Sequence, residues 1–146
     1  MYDLKKHFLA DKKTILSKIE KVLSKGILEM GEEVEKFEES FKQYCNVQYC
    51  VTVSSGSMGL LLALKSLDLK KNDEVITVSN SDIPTSHAIT LIGAKIKWVD
   101  INENTLNIDE NKIEKNITKN TKAILPVHLF GNPCNMAKIL SIAKKI

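Results

Sequence analysis

The chain has 146 residues, of which 43% are apolar and 27% charged, with a net charge of +3 and a mean hydropathy of −0.12. That is long enough for a real core, too short for two full domains, and too apolar for an intrinsically disordered chain. No run approaches the roughly 18 apolar residues of a membrane-spanning helix, and the N-terminus carries no signal-peptide apolar region, so a soluble cytoplasmic protein with no membrane partner is expected.

Lysines account for the basic charge, in pairs such as Lys5-Lys6, Lys70-Lys71 and Lys144-Lys145. Most stand beside Asp, Glu or Asn, which reads as solvated faces rather than a nucleic-acid surface. Cys45, Cys50 and Cys134 are odd in number and form no C-x-x-C pair, and His7, His87 and His128 lie far apart. Neither a disulfide framework nor a metal site follows from that spacing.

Residues 2–28 carry Leu4, Phe8, Ile15, Ile19, Val22 and Leu23 at helical spacing and end near Gly26, which predicts an amphipathic N-terminal arm over 1–28. "GEEVEKFEESFKQYC" predicts a second helix, with Val34, Phe37, Phe41 and Tyr44 on one face and acids in the first turn, where the helix dipole favours them. The rest of a domain over 29–146 alternates strand and helix. "YCVTV", "DEVITV", "KIKWVDI" and "KAILPVHLF" read as strands. "MGLLLALKSLDL", "IPTSHAITLIGA", "IDENKIEKNI" with Asp109 as N-cap, and "NMAKILSIAKKI" read as helices. This alternation predicts a three-layer α/β fold, a mainly parallel sheet with helices on both faces. The sheet would stop after four strands, so the domain reads as cut short.

"VTVSSGSMG" sets small residues between two apolar runs. A strand, a tight turn and then a helix presents free backbone N–H groups at the helix start, which makes an anion site. Gly56 allows close approach, and the Ser55 and Ser57 hydroxyls add hydrogen bonds. Helix capping by Ser54 or Ser55 is the competing reading of the same residues. The turn is not G-x-G-x-x-G, which argues against a dinucleotide-binding oxidoreductase domain.

Taken together, "GEEVEKFEESF", "VTVSSGSMGLLLALKSLDLKKNDEVITVSNS" and "GAKIKWVDINENTLNIDENKIEKNITKNTKAILPVHLFGNPCNM" resemble the DegT/DnrJ/StrS-type sugar aminotransferases over essentially the whole chain. The resemblance implies a partial large domain of the pyridoxal-phosphate-dependent transferase fold type I. It implies pyridoxal 5′-phosphate (PLP) as cofactor, with Gly56, Ser57 and the Met58 backbone on its phosphate. The substrates it implies are a nucleotide-linked keto sugar and an amino-acid donor, usually glutamate, in amino-sugar or polysaccharide biosynthesis. It further implies a homodimer served by the arm and the Phe37/Phe41 helix.

The family's Schiff-base lysine and the acid that pairs with the pyridinium nitrogen fall beyond residue 146, so the chain alone is expected to be catalytically incompetent and carries no catalytic residue. Where the family commonly stacks an aromatic on the ring, this chain has Asp82. Either a neighbour such as His87 takes over, or the ring is held differently. The alternative function is a non-catalytic or split-chain partner, completed by another chain along the open sheet edge. His128 matches a family position near the cofactor and reads as a hydrogen-bonded core histidine at a strand end. His87 reads as structural, Trp98 as core packing, Asp100 as a turn contact, and Cys50 and Cys134 as small buried hydrophobes.

Overall fold

The structure is a computed structural model that describes residues 3–146, so Met1 and Tyr2, expected within the arm, lie outside the described residues. The chain divides into two compact units, the first ending at Thr52 and the second spanning Val53–Ile146.

The first unit holds two helices. α1 spans Leu4–Lys25; Asp3 caps its start by accepting a hydrogen bond from Lys6 N, and Gly26 at φ 69° ends it in the left-handed conformation that glycine adopts without strain. α2 spans Glu32–Cys45 with Glu32, Glu33 and Glu35 in its first turn, where the partial positive charge of the helix start favours them. Neither helix has a buried residue. Phe37 and Phe41 stack with ring centroids 5.6 Å apart. Of the residues expected on the apolar faces, Leu4, Leu23, Phe37 and Tyr44 are more than half exposed, while Val22 and Val34 are half-buried.

The second unit runs α3 (Gly56–Lys65), β1 (Glu74–Val78), α4 (Ile83–Leu91), β2 (Lys95–Val99), α5 (Glu110–Ile113), β3 (Thr121–Ile124) and α6 (Met136–Ala143). The sheet order is β2-β1-β3, and both pairings are parallel, with Glu74 opposite Lys95 on one side and Thr121 on the other. Successive strand side chains point to opposite faces. Ile76 and Val78 of β1 accordingly join Val99, Ile113, Ile139 and Ile142 in one cluster, while Val75 joins Leu64, Ala88 and Ile89 in the other. Each fully buried Ile or Val contributes about 1.5–3 kcal/mol of apolar transfer. The expected α/β architecture with helices on both faces is the one the chain adopts.

Several boundaries differ from the sequence reading, each for a local reason. "YCVTV" forms no strand: among the described residues, 49–53 pair with no other strand, and Tyr49 and Val51 are over three-quarters exposed. β3 ends at Ile124 rather than running to Phe130. Leu125 N still reaches Ile76 O, but Pro126 has no N–H to continue the ladder. The chain then makes a 3₁₀ turn over Leu129–Gly131. Asp109 caps α5 as expected, accepting from Asn111 N.

Candidate functional site

The turn before α3 takes its shape from Ser55. Its backbone is extended, its side-chain oxygen accepts from Met58 N at 3.2 Å, and its carbonyl accepts from Gly59 N at 3.0 Å. The side-chain bond satisfies one of the four orphan donors of the helix start, and the carbonyl bond begins the helical ladder. The amides of Gly56 and Ser57 have no acceptor among the described residues, and both residues are exposed. A Cβ built on Gly56 would meet nothing within 4 Å, so the space over those amides is open. One further along, a Cβ on Gly59 would sit 3.4 Å from Val53 Cγ2, which packs the first turn of α3 closely against the residue that leads into it.

The structure thus brings Gly56, Ser57 and Met58 together at the start of a ten-residue helix. Capping by Ser55 does not exhaust the donors of the turn: Met58 N is already taken by Ser55, while Gly56 N, Ser57 N and the Ser57 hydroxyl have no partner among the described residues. Two amides, a hydroxyl and the positive end of a helix dipole suit a phosphate. A cleft alongside is lined by Ser55, Ser57 and Met58 from α3 and its cap and by Ile83, Pro84 and His87 from α4.

Asp82 does not line that cleft. It caps α4, with Oδ1 accepting from Ile83 N at 2.8 Å, and lines a second cleft with Ser79, Ser81 and Trp98. His87, which the sequence reading treats as structural, is exposed and is the α4 side chain with a polar tip that shares the cleft of the Ser57 turn.

His128 is not a core residue. It is exposed, but its ring is fixed, because Nδ1 accepts the Cys134 N–H at 3.1 Å. That leaves Nε2 as the ring atom free to meet another group. Cys134 is buried; burial raises its thiol above the usual cysteine range, and Sγ donates to Val127 O at 3.1 Å. It serves as a small packed group rather than a nucleophile. Cys50 is half-buried. Asp100 accepts from Ile101 N and pairs with Lys112 at 3.1 Å, which draws its carboxyl below the ordinary range. Trp98 is 48% exposed rather than core-packed, because β2 lies at the edge of the sheet.

Asn107 is a residue that the sequence reading missed. It is 2% exposed. Its Nδ2 donates to Asn132 O at 2.9 Å and its Oδ1 accepts from Leu129 N at 3.1 Å, so it grips both ends of the turn that follows His128. That turn holds Phe130 at φ 55° and Gly131 at φ 79°; a left-handed Phe needs such support. The available signal was an amide between two apolar residues, "LNI", just ahead of a helix cap. Among the described residues, no group of three or more His, Cys, Asp or Glu is placed to hold a metal ion.

The chain is 41% identical over 143 residues to the dTDP-3-amino-3,6-dideoxy-alpha-D-galactopyranose transaminase of Aneurinibacillus thermoaerophilus, covering 98% of this chain and 39% of that one. It is 40% identical over 121 residues to the GDP-perosamine synthase of Escherichia coli O157:H7, covering 83% and 33%. Among solved structures, S. venezuelae DesV in complex with a ketimine intermediate superposes with a TM-score of 0.94 at 36% identity, over 98% of this chain and 38% of that one. E. coli GDP-4-keto-6-deoxy-D-mannose-3-dehydratase with bound hydrated PLP gives 0.83 at 38% identity, over 88% and 35%. The chain therefore spans between a third and two-fifths of the length of these relatives. Residues 10–146 match the DegT/DnrJ/EryC1/StrS aminotransferase family, and the chain belongs to that family.

Proposed function

We propose that this chain is the N-terminal segment of a PLP-dependent enzyme that transfers an amino group to a nucleotide-linked keto sugar, with glutamate as donor. One observation carries the reading: a family match over 10–146 coincides with free Gly56 and Ser57 amides at the start of α3. Gly56 N, Ser57 N and the Ser57 hydroxyl would hold the cofactor phosphate, with the Met58 amide as a shared fourth donor. When bound, PLP supplies the electron sink that amino-group transfer requires.

The chain's own residues bind and orient. Ser55 fixes the first turn of α3, so the donors stand in place before any ligand arrives and little ordering entropy is lost on binding. His87 borders the cleft beside them. The residues that would carry the chemistry itself lie outside 1–146 in this reading. The transaminase and the GDP-perosamine synthase named above carry nucleotide-linked sugars in their names, which supports a soluble cytoplasmic enzyme; no described helix is long and apolar enough to cross a membrane. The outward apolar faces of α1 and α2 support a homodimer.

The test uses pyridoxine 5′-phosphate, which has no aldehyde to react with surface lysines. Amide NMR shifts of Gly56 and Ser57 should move saturably with it and with inorganic phosphate, and should not move with pyridoxine. Equal shifts with pyridoxine, or none with any of the three, would sink the phosphate assignment.

A further inference from the structure

We infer that Asn107 is a positioning residue that acts through His128, setting its imidazole as an Nε2–H donor for an acceptor oxygen at the carboxyl end of the sheet. Neither residue belongs to the phosphate turn, so this role stands apart from the function proposed above.

One bond places the proton. A backbone N–H can only donate, so the 3.1 Å contact from Cys134 N to His128 Nδ1 needs the lone pair on Nδ1. A neutral ring then carries its hydrogen on Nε2. Among the described residues nothing accepts from that Nε2, and the residue is exposed. His87 is the contrast within the same chain. It is exposed too, and its ring has no partner among the described residues, so nothing there chooses between the two tautomers.

Asn107 sets that bond through the turn it closes. Leu129 and Asn132 lie between His128 and Cys134, and Asn107 holds both, accepting from Leu129 N at 3.1 Å and donating to Asn132 O at 2.9 Å. Phe130 stands between them at φ 55° with 90% of its surface in water. A left-handed Phe with so little packing of its own is held from outside. One other tie spans the turn, from Cys134 Sγ to Val127 O at 3.1 Å. A thiol is a weak donor, so the two amide bonds of Asn107 outweigh it. His128 follows the end of β3 by four residues, and open parallel sheets place ligands beyond the carboxyl ends of their strands. A fixed N–H at that place suits a carbonyl or carboxylate oxygen, whereas a cation or a second N–H meets no acceptor.

The experiment records long-range nitrogen–proton NMR spectra of the imidazoles in the isotope-labelled chain, above about pH 8, where an ordinary imidazole is neutral. His128 should show a protonated Nε2 and an unprotonated Nδ1, with the other tautomer at about a tenth or less, the worth of one hydrogen bond. His87, in the same spectrum, is the unfixed reference. Asn107→Ala, with folding checked by unchanged β1 amide signals, should bring His128 to the averaged pattern of His87. Asn107→Ser, which leaves room for a water beside the freed N–H and carbonyl, takes its place if the alanine variant does not fold. Asn132→Ala removes the Nδ2 bond to Thr105 O and leaves both Asn107 bonds, so it should keep the wild-type pattern. Hydrogen on Nδ1 of wild-type His128, or averaging like that of His87, overturns the donor assignment. A single Nε2–H tautomer that survives in a folded Asn107 variant makes Asn107 a packing residue only and overturns the positioning role.

Discussion

Glu38 Oε1 receives two hydrogen bonds from one residue, Thr52: from its amide at 2.7 Å and from its hydroxyl at 2.8 Å. The two residues are fourteen apart in sequence. A β-like segment normally gives its amides to a neighbouring strand, and 49–53 have none among the described residues. Glu38 satisfies one of those donors with a side chain. These same two bonds hold the Glu38 carboxyl below its ordinary range, the amide bond contributing most.

Removing the acceptor should release that amide. Glu38→Ala is expected to speed hydrogen exchange at Thr52 while the amides in the middle of α2 keep their protection. Thr52→Val removes the hydroxyl bond and leaves the amide bond, so it should speed exchange less. Equal protection of Thr52 in wild type and Glu38→Ala, measured by NMR exchange, would show that the clamp does not persist in solution.

Much of the second unit is legible because its elements carry local signals. "DEVITV" is a short run of β-branched residues and becomes the central strand, buried on both faces. Asp109 stands where an N-cap should, and Gly93 at φ 81° closes the turn after α4. The Ser55–Met58 turn was legible for the same reason, since its chemistry depends on adjacent residues. What was not legible depends on partners distant in sequence. "YCVTV" has strand composition, but a strand exists only with a neighbour. Trp98 looks like core by its type, and only the place of β2 at the sheet edge exposes it. Asn107 makes its bonds 22 and 25 residues away, and no periodicity records that.

Asn107→Ala should be among the more damaging single changes in the second unit. It leaves Leu129 N and Asn132 O without their partner in a part-buried place, and each such loss costs roughly 1–3 kcal/mol. A total of about 3 kcal/mol would lower the urea midpoint by roughly 1–3 M. Asn107→Asp keeps an acceptor for Leu129 N but sets a carboxylate oxygen against the Asn132 carbonyl, so it should not rescue stability. A midpoint within 0.3 M of wild type, a shift of roughly half a kcal/mol, would refute the assigned role.

Acid should weaken the first unit through Glu32. Its carboxylate hydrogen-bonds Lys25 and Lys36, and those bonds, Lys25 first, lower its pKa from the usual 4.5 to about 2. A depressed carboxyl contributes stability that is fully present above its unfolded value and lost as pH falls through the folded one. The window is therefore pH 4.5 down to about 2. The group is solvent-exposed, so the effect is small and should shrink further in high salt. Glu32→Gln should flatten the helical melting temperature against pH across that window. An unchanged slope in Glu32→Gln would assign the acid sensitivity to other carboxyls.

Ser55 offers the means to separate its two roles. As the cap of α3 it supplies one acceptor to Met58 N, and Ser55→Ala should cost about 1 kcal/mol of stability. Aspartate caps a helix as well as serine does, so Ser55→Asp should keep stability within a few tenths of a kcal/mol. It also places a negative charge in the first turn, beside the Gly56 and Ser57 amides. If those amides receive a phosphate, that charge repels it, and Ser55→Asp should abolish the pyridoxine 5′-phosphate shifts while the protein stays folded. If the turn only caps the helix, Ser55→Asp should match wild type in every measurement, because a cap is all that it needs to be. Ser55→Asn, a neutral cap of similar reach, completes the comparison by keeping both stability and phosphate binding. Loss of binding in both variants would trace the effect to shape rather than charge.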